Sequence, residues 1–154
     1  GRLAVKHIFS FFLTLMLAST AFAAEKALEA NAPLNPYEQI MVGKVWVTTD
    51  AVDQKGASVP ATDEKVAAFF GKAEYFPDHT FKITSLDGKP RMHGLWSISA
   101  DGKTRKLTVQ DDSGKTRFTR EVENVKVNDG EYTYRIYPNG ENKAEHIDIV
   151  HKPQ

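Results

Sequence analysis

Five short turn signals punctuate the second half of this chain: "DGKP" at 87–90, "ADGK" at 100–103, "DDSGK" at 111–115, "NDG" at 128–130 and "PNGEN" at 138–142. Asp-Gly and Asn-Gly pairs reverse a backbone within a few residues, because glycine and asparagine tolerate the positive φ that tight hairpins need. Between the turns lie "TFKITSL" (80–86), "RMHGLWSIS" (91–99), "TRKLTVQ" (104–110), "TRFTREVENVKV" (116–127), "EYTYRIY" (131–137) and "EHIDIVH" (145–151). Each alternates and is rich in β-branched and aromatic residues, so each is expected to be a strand. Strands joined by such short turns run antiparallel, since a parallel pair needs a crossover of about a dozen residues or more. This constraint removes most folds from consideration.

Upstream, "KVWVTTD" (44–50) is a further strand and "AVDQKGASVPATD" has loop chemistry. "KVAAFFGKAEYF" (65–76) is ambiguous: its alanines allow a helix, while "KAEYF" alternates. Seven clear strands and an expected eighth form a meander. The expected fold is all-β, an eight-stranded antiparallel up-and-down barrel, which leaves no open edge; a sandwich is the alternative. Before the first strand, "NPYEQIMVG" carries a capping residue (Asn35), a first-turn proline (Pro36), Glu38 three residues after the cap and a stop at Gly43. It predicts a short helix over 36–42, placed to cover one barrel end.

The first residues read as a targeting segment. Arg2 and Lys6 precede the apolar run "IFSFFLTLML", and "ASTAFA" supplies an A-x-A pattern ending at Ala23. This is a secretory signal peptide by its chemistry, 1–23, cut after Ala23. An arm over 24–36 and a barrel domain over 37–154 are expected to follow. Removing residues 1–23 leaves 20 acidic and 18 basic residues, a net charge of about −2. That balance gives no electrostatic reason to expect nucleic acid as a partner. No membrane span is expected in the mature chain, which is expected to be a monomer. With no cysteine, disulfides, thiolate metal sites and cysteine nucleophiles are excluded. A periplasmic or secreted bacterial protein fits these features.

The motifs "GKVW", "FFGKAEYFPDHTFKI", "HGLWSISADGKTRKLTV", "FTREV" and the closing "EYTYRIYPN…HIDIVHKP" resemble an uncharacterised bacterial family of small exported domains, over residues 37–153. More loosely, the chain resembles lipocalin-like (calycin) barrels, although Gly43 and Trp46 stand one residue further apart than in the lipocalin G-x-W pattern. The resemblance implies a fold and a compartment, and no established activity.

Strand parity then selects candidate site residues, because alternate side chains share a face. In "TRKLTVQ" the apolar face is Arg105, Leu107 and Val109; in "TRFTREV" it is Phe118, Arg120 and Val122; in "EHIDIVH" it is Ile147, Ile149 and His151; in "RMHGLWSIS" it is Met92, Gly94, Trp96 and Ile98. Three basic groups thus share the apolar side of neighbouring strands. A barrel interior with a cationic end suits a small apolar or amphipathic anion, fatty-acid-like, because arginine grips carboxylates with two parallel bonds. The expected ligand contacts are Arg105, Arg120, Tyr134 and His151, with Trp96 and Phe118 as apolar walls. The structural alternatives are a snorkelling Arg105, an Arg120 stacked on Trp46 or Trp96, and an exposed His151. In "EYTYRIY" the Tyr132–Tyr134–Ile136 face is expected inward, with Arg135 opposite.

Other chemistry is thinly signalled. His146, Asp148, His151 and His93 invite a metal reading, but His151 has the opposite parity to the first two, so no metal is expected. No nucleophile elbow, phosphate loop or H-E-x-x-H is present, and no cofactor or catalytic residue is expected. Two further readings stay open: a packed barrel acting as an interaction or inhibitor module through its loops, and a barrel enzyme with His93 or His151 as base, His93 having Asp101 nearby.

Overall fold

The computed structural model describes residues 32–154. The expected signal peptide and most of the expected arm lie outside them. After a short helix α1 (Pro36–Met41) the chain forms β1 (Val45–Asp53), a 3-10 turn (Ala67–Phe69), β2 (Lys72–Tyr75), β3 (Thr80–Thr84), β4 (Pro90–Ile98), β5 (Thr104–Gln110), β6 (Thr116–Asn128), β7 (Glu131–Ile136) and β8 (Ile147–Pro153). Every strand pairs antiparallel with its sequence neighbour, and β1 pairs with β8, so the eight strands close into an up-and-down barrel. No helix among the described residues is long and apolar enough to cross a membrane.

The ambiguous segment 65–76 divides as its two halves suggest. The alanine-rich part makes one 3-10 turn, and "KAEY" becomes a four-residue strand whose Ala73 and Tyr75 are buried. β1 runs beyond the expected 44–50 and takes in part of the presumed loop. A bulge between Thr48 and Asp50, opposite β8, explains the difference. Trp46 and Thr48 point inward, but the extra residue brings Ala51 inward next and turns Asp50 out. A strict period of two therefore ends early in the sequence although the strand continues. Further register shifts on β3–β4, β5–β6 and β6–β7 supply the bending that closure needs.

Helix α1 plugs one end. Asn35 accepts from the Glu38 amide while Glu38 accepts from the Asn35 amide, the two halves of a capping box. The same two side chains also reach β4: Asn35 Nδ2 donates to the Ile98 carbonyl at 2.8 Å, and Glu38 Oε2 accepts from the Ile98 amide at 3.1 Å. Trp46 Nε1 donates to the Met41 carbonyl at 3.0 Å, so the last helical turn is tied to the first strand. Local capping chemistry is thereby converted into tertiary docking.

Aromatic side chains fill most of the interior. Trp46, Tyr75, Phe81, Trp96 and Tyr132 are essentially inaccessible to solvent, and each contributes about 2–3 kcal/mol by leaving water. Their rings meet edge-on or tilted, with Trp46–Tyr132 centroids 6.2 Å and Tyr75–Trp96 centroids 5.0 Å apart. Where β4 crosses β5, Gly94 has φ +155°, and a Cβ there would sit 1.9 Å from the Thr108 carbonyl oxygen. Only glycine permits the two strands to approach so closely.

Candidate functional site: a buried guanidinium under a small cavity

The alternation of β5 buries Arg105, Leu107 and Val109 while leaving Lys106 exposed. Arg105 is only 3% exposed; it does not snorkel to water. Its Nη1 donates to the Tyr75 hydroxyl oxygen at 2.7 Å. Its guanidinium carbon lies 4.7 Å from the ring centre of Tyr134 and 5.6 Å from that of Tyr132. The buried Nε has no hydrogen-bond partner. Among the described residues no carboxylate stands within ion-pair distance of Arg105 or Arg120.

The neighbours do not neutralise this charge. Burial lowers the proton affinity of the guanidinium, but the phenols of Tyr132, Tyr75 and Tyr134 outweigh it, and the net shift is upward. Burial in turn raises the Tyr134 phenol to about 12, against the opposing pull of Arg105. The Tyr132 phenol is raised likewise. The Tyr132 and Tyr134 phenols are therefore neutral at ordinary pH. His151 is pushed down to about 4, first by burial and then by the Arg105 charge, against an opposing hydrogen bond to the Tyr132 carbonyl. With Nδ1 2.9 Å from that carbonyl oxygen, the neutral ring carries its proton on Nδ1 and donates it there. Arg105 thus keeps its positive charge among buried aromatic groups.

A cavity of about 30 Å³ opens over this guanidinium, with Arg105, Tyr75, Tyr134 and His151 among its lining. The β5–β6 register gives the direction outward from the floor: Arg105 stands opposite Val122, Leu107 opposite Arg120, and Val109 opposite Phe118. Arg120 therefore lies one two-residue step nearer the barrel end remote from α1. Its guanidinium rests 5.5 Å from the ring centre of Phe69 and 5.7 Å from that of Phe118. The 3-10 turn carrying Phe69 also lines the cavity, and Arg91 holds it in place through the Phe70 carbonyl at 2.6 Å. Thr48 Oγ1 donates to the Phe69 carbonyl at 3.0 Å from the opposite side.

A family profile described as a domain of unknown function (DUF4822) matches residues 38–154. The chain belongs to this family. The match takes in every strand of the barrel and every residue named at the cavity. No curated protein matches the chain.

In this DUF4822 domain four of the six expected contacts, Arg105, Arg120, Tyr134 and His151, converge on one cavity. Trp96 and Phe118 do not serve as its walls. Trp96 is buried at 2% exposure but sits toward the α1 end, donating from Nε1 to the Phe76 carbonyl at 3.0 Å and packing on Tyr75 and His79. Phe118 shares the inward parity yet is 40% exposed, because it lies at the rim rather than inside. Arg120 stacks on Phe69 and Phe118, and neither tryptophan is its partner. Tyr75, Phe69 and Lys72 also line the cavity, although strand parity did not select them. The "KAEYF" alternation could have found Tyr75; nothing in a one-turn 3-10 segment signals Phe69.

The remaining polar candidates are dispersed. Arg135 faces outward and grips its cross-strand partner Asp148 with two bonds, at 2.8 and 3.1 Å. His146 stands 3.7 Å from the same carboxylate, whereas His151 points into the barrel. His93 is an exposed residue 3.9 Å from Asp112; Asp101 caps the β4–β5 turn through Ser99 and the Lys103 amide.

Proposed function

We propose that this DUF4822 domain is an exported, monomeric, lipocalin-like binding module that takes the anionic head of a small amphipathic molecule into its barrel. One observation carries the reading: Arg105 is a buried cation with an unpartnered Nε and no carboxylate beside it, at the floor of a cavity. A charge removed from water costs several kcal/mol unless an anion compensates it. A ligand's anion supplies that compensation. Arg120, nearer the rim, adds a second positive charge on the way in.

The cavity narrows the expectation of a fatty-acid-like ligand. Pockets that enclose drug-sized ligands measure about 300–1,000 Å³, and this one holds about 30 Å³. An acyl chain therefore stays outside the floor, running past Arg120 between Phe69 and Phe118, while the head group enters. Titration calorimetry with acetate, octanoate and laurate tests the reading. Saturable binding that is lost in Arg105→Met supports it, and absence of heat with every anion of the panel would defeat it. Export rests on the sequence at 1–23, and fractionation of cells making the full chain decides it: recovery only from the cytoplasm would refute that half.

A further inference from the structure

We infer that the head group this site selects is a carboxylate, a planar single-charged oxyanion held side-on by Arg105, and that tetrahedral oxyanions are rejected. This rests on the anion-binding reading above and names its ligand class. Four observations lead to it.

The first is the edge of Arg105 that is left over. Nη1 is engaged by Tyr75, while Nε is buried without a partner. Nε–H and the adjacent Nη2–H point the same way in the guanidinium plane, and that edge matches the two oxygens of a carboxylate. The second is how the plane is approached. The Tyr134 ring covers a face of the guanidinium at 4.7 Å, and the His151 ring stacks on Tyr134 with centroids 5.2 Å apart and planes inclined 28°. A layered aromatic wall thus covers that face, so a ligand meets the guanidinium by its edge.

Volume and charge are the third and fourth. A cavity of about 30 Å³ corresponds to about two water molecules by the usual measure of probe-occupied space. That admits the three heavy atoms of a carboxylate and crowds the five of a phosphate or sulfate. Arg105 stands at the floor, and Arg120 and Lys72 also line the cavity, so charge draws an anion in while volume and shape select among anions. Tyr75 holds the opposite, Nη1 side of the guanidinium at 2.7 Å and so fixes the plane in which the free edge is presented.

Proton–nitrogen correlation spectra of the arginine Nε–H groups read the site directly, since an Nε–H newly bonded to a carboxylate shifts downfield. The full domain is titrated with acetate, octanoate, phosphate and sulfate, and the Arg105 signal is assigned by its loss in Arg105→Lys. Acetate and octanoate are expected to move that signal saturably, while phosphate and sulfate leave it in place. Arg105→Lys, which keeps the charge and removes the edge, is expected to weaken acetate by about tenfold or more. Tyr75→Phe is expected to weaken it less and leave the fold intact. Phosphate or sulfate moving the signal as strongly as acetate would overturn carboxylate selection while leaving an anion site standing. Octanoate binding that spares the Arg105 signal and disappears in Arg120→Gln would place the ligand at the rim and overturn the inference. Silence with all four anions would overturn both the inference and the function it rests on.

Discussion

Replacing Arg105 by methionine separates a residue kept for a ligand from one kept for stability. Without ligand, the guanidinium gains one charge-assisted hydrogen bond to Tyr75 and two cation–π contacts. These contribute about 2 kcal/mol and about 1 kcal/mol each, close to 4 kcal/mol together. Against them stand the desolvation of a full charge, several kcal/mol, and the orphaned Nε, about 1–3 kcal/mol. Methionine fills similar space with apolar atoms and leaves only the Tyr75 hydroxyl short of a donor, at about 1 kcal/mol. The balance favours Arg105→Met by about 1 kcal/mol, a rise in Tm of about 4 °C for a domain of this size. Urea unfolding of both proteins, in buffer free of carboxylates and other small oxyanions, gives the number. A loss of more than about 2 kcal/mol would mean that the arginine holds the barrel together, and the case for a ligand counter-ion would fall. Excess acetate should reverse the order, because it stabilises only the wild type.

Two further outcomes follow from other parts of the interior. His151 is held near 4 when folded, against about 6.5 for an imidazole in water, so the unfolded chain takes up its proton first as pH falls. About 3 kcal/mol of stability present above pH 6.5 is then lost between pH 6.5 and 4; His151→Gln should flatten that limb in pH-resolved urea melts, and an unchanged slope would refute a buried neutral imidazole. Gly94→Ala should cost more than about 3 kcal/mol, since its Cβ would collide with the Thr108 carbonyl at φ +155°; a soluble, cooperatively melting variant within about 1 kcal/mol of wild type would contradict the close crossing of β4 and β5.

The sequence carried the topology because hairpin turns are written locally. "ADGK" and "NDG" each specify a reversal regardless of what surrounds them, and a run of such reversals leaves little besides a meander. It carried the side of each residue for the same reason: Arg105, Tyr134 and His151 are inward by parity alone. Parity has no coordinate along the barrel axis. Trp96 and Phe118 share the inner face with Arg105, yet one packs toward the helix plug and the other stands at the rim. Height depends on register between strands, and register depends on bulges such as the one at Thr48/Asp50, which leave no separate mark in the sequence. Phe69 reached the cavity through a tertiary clamp by Arg91 and Thr48, residues distant in sequence.

The seam between β1 and β8 makes the pocket the last thing this chain can build. Val47 pairs with Lys152 and Thr48 with His151, so about a hundred residues intervene, and drawing such ends together costs about 4 kcal/mol of chain entropy. Thr48 and His151 both line the cavity, one from each lip of that seam. Until the final strand has been made and has zipped onto the first, Arg105 has only part of its enclosure and an anion meets water on the open side. Occupancy of the pocket is therefore a report on completion, and a chain cut short before Ile147 would be blind to its ligand however well its hairpins had formed.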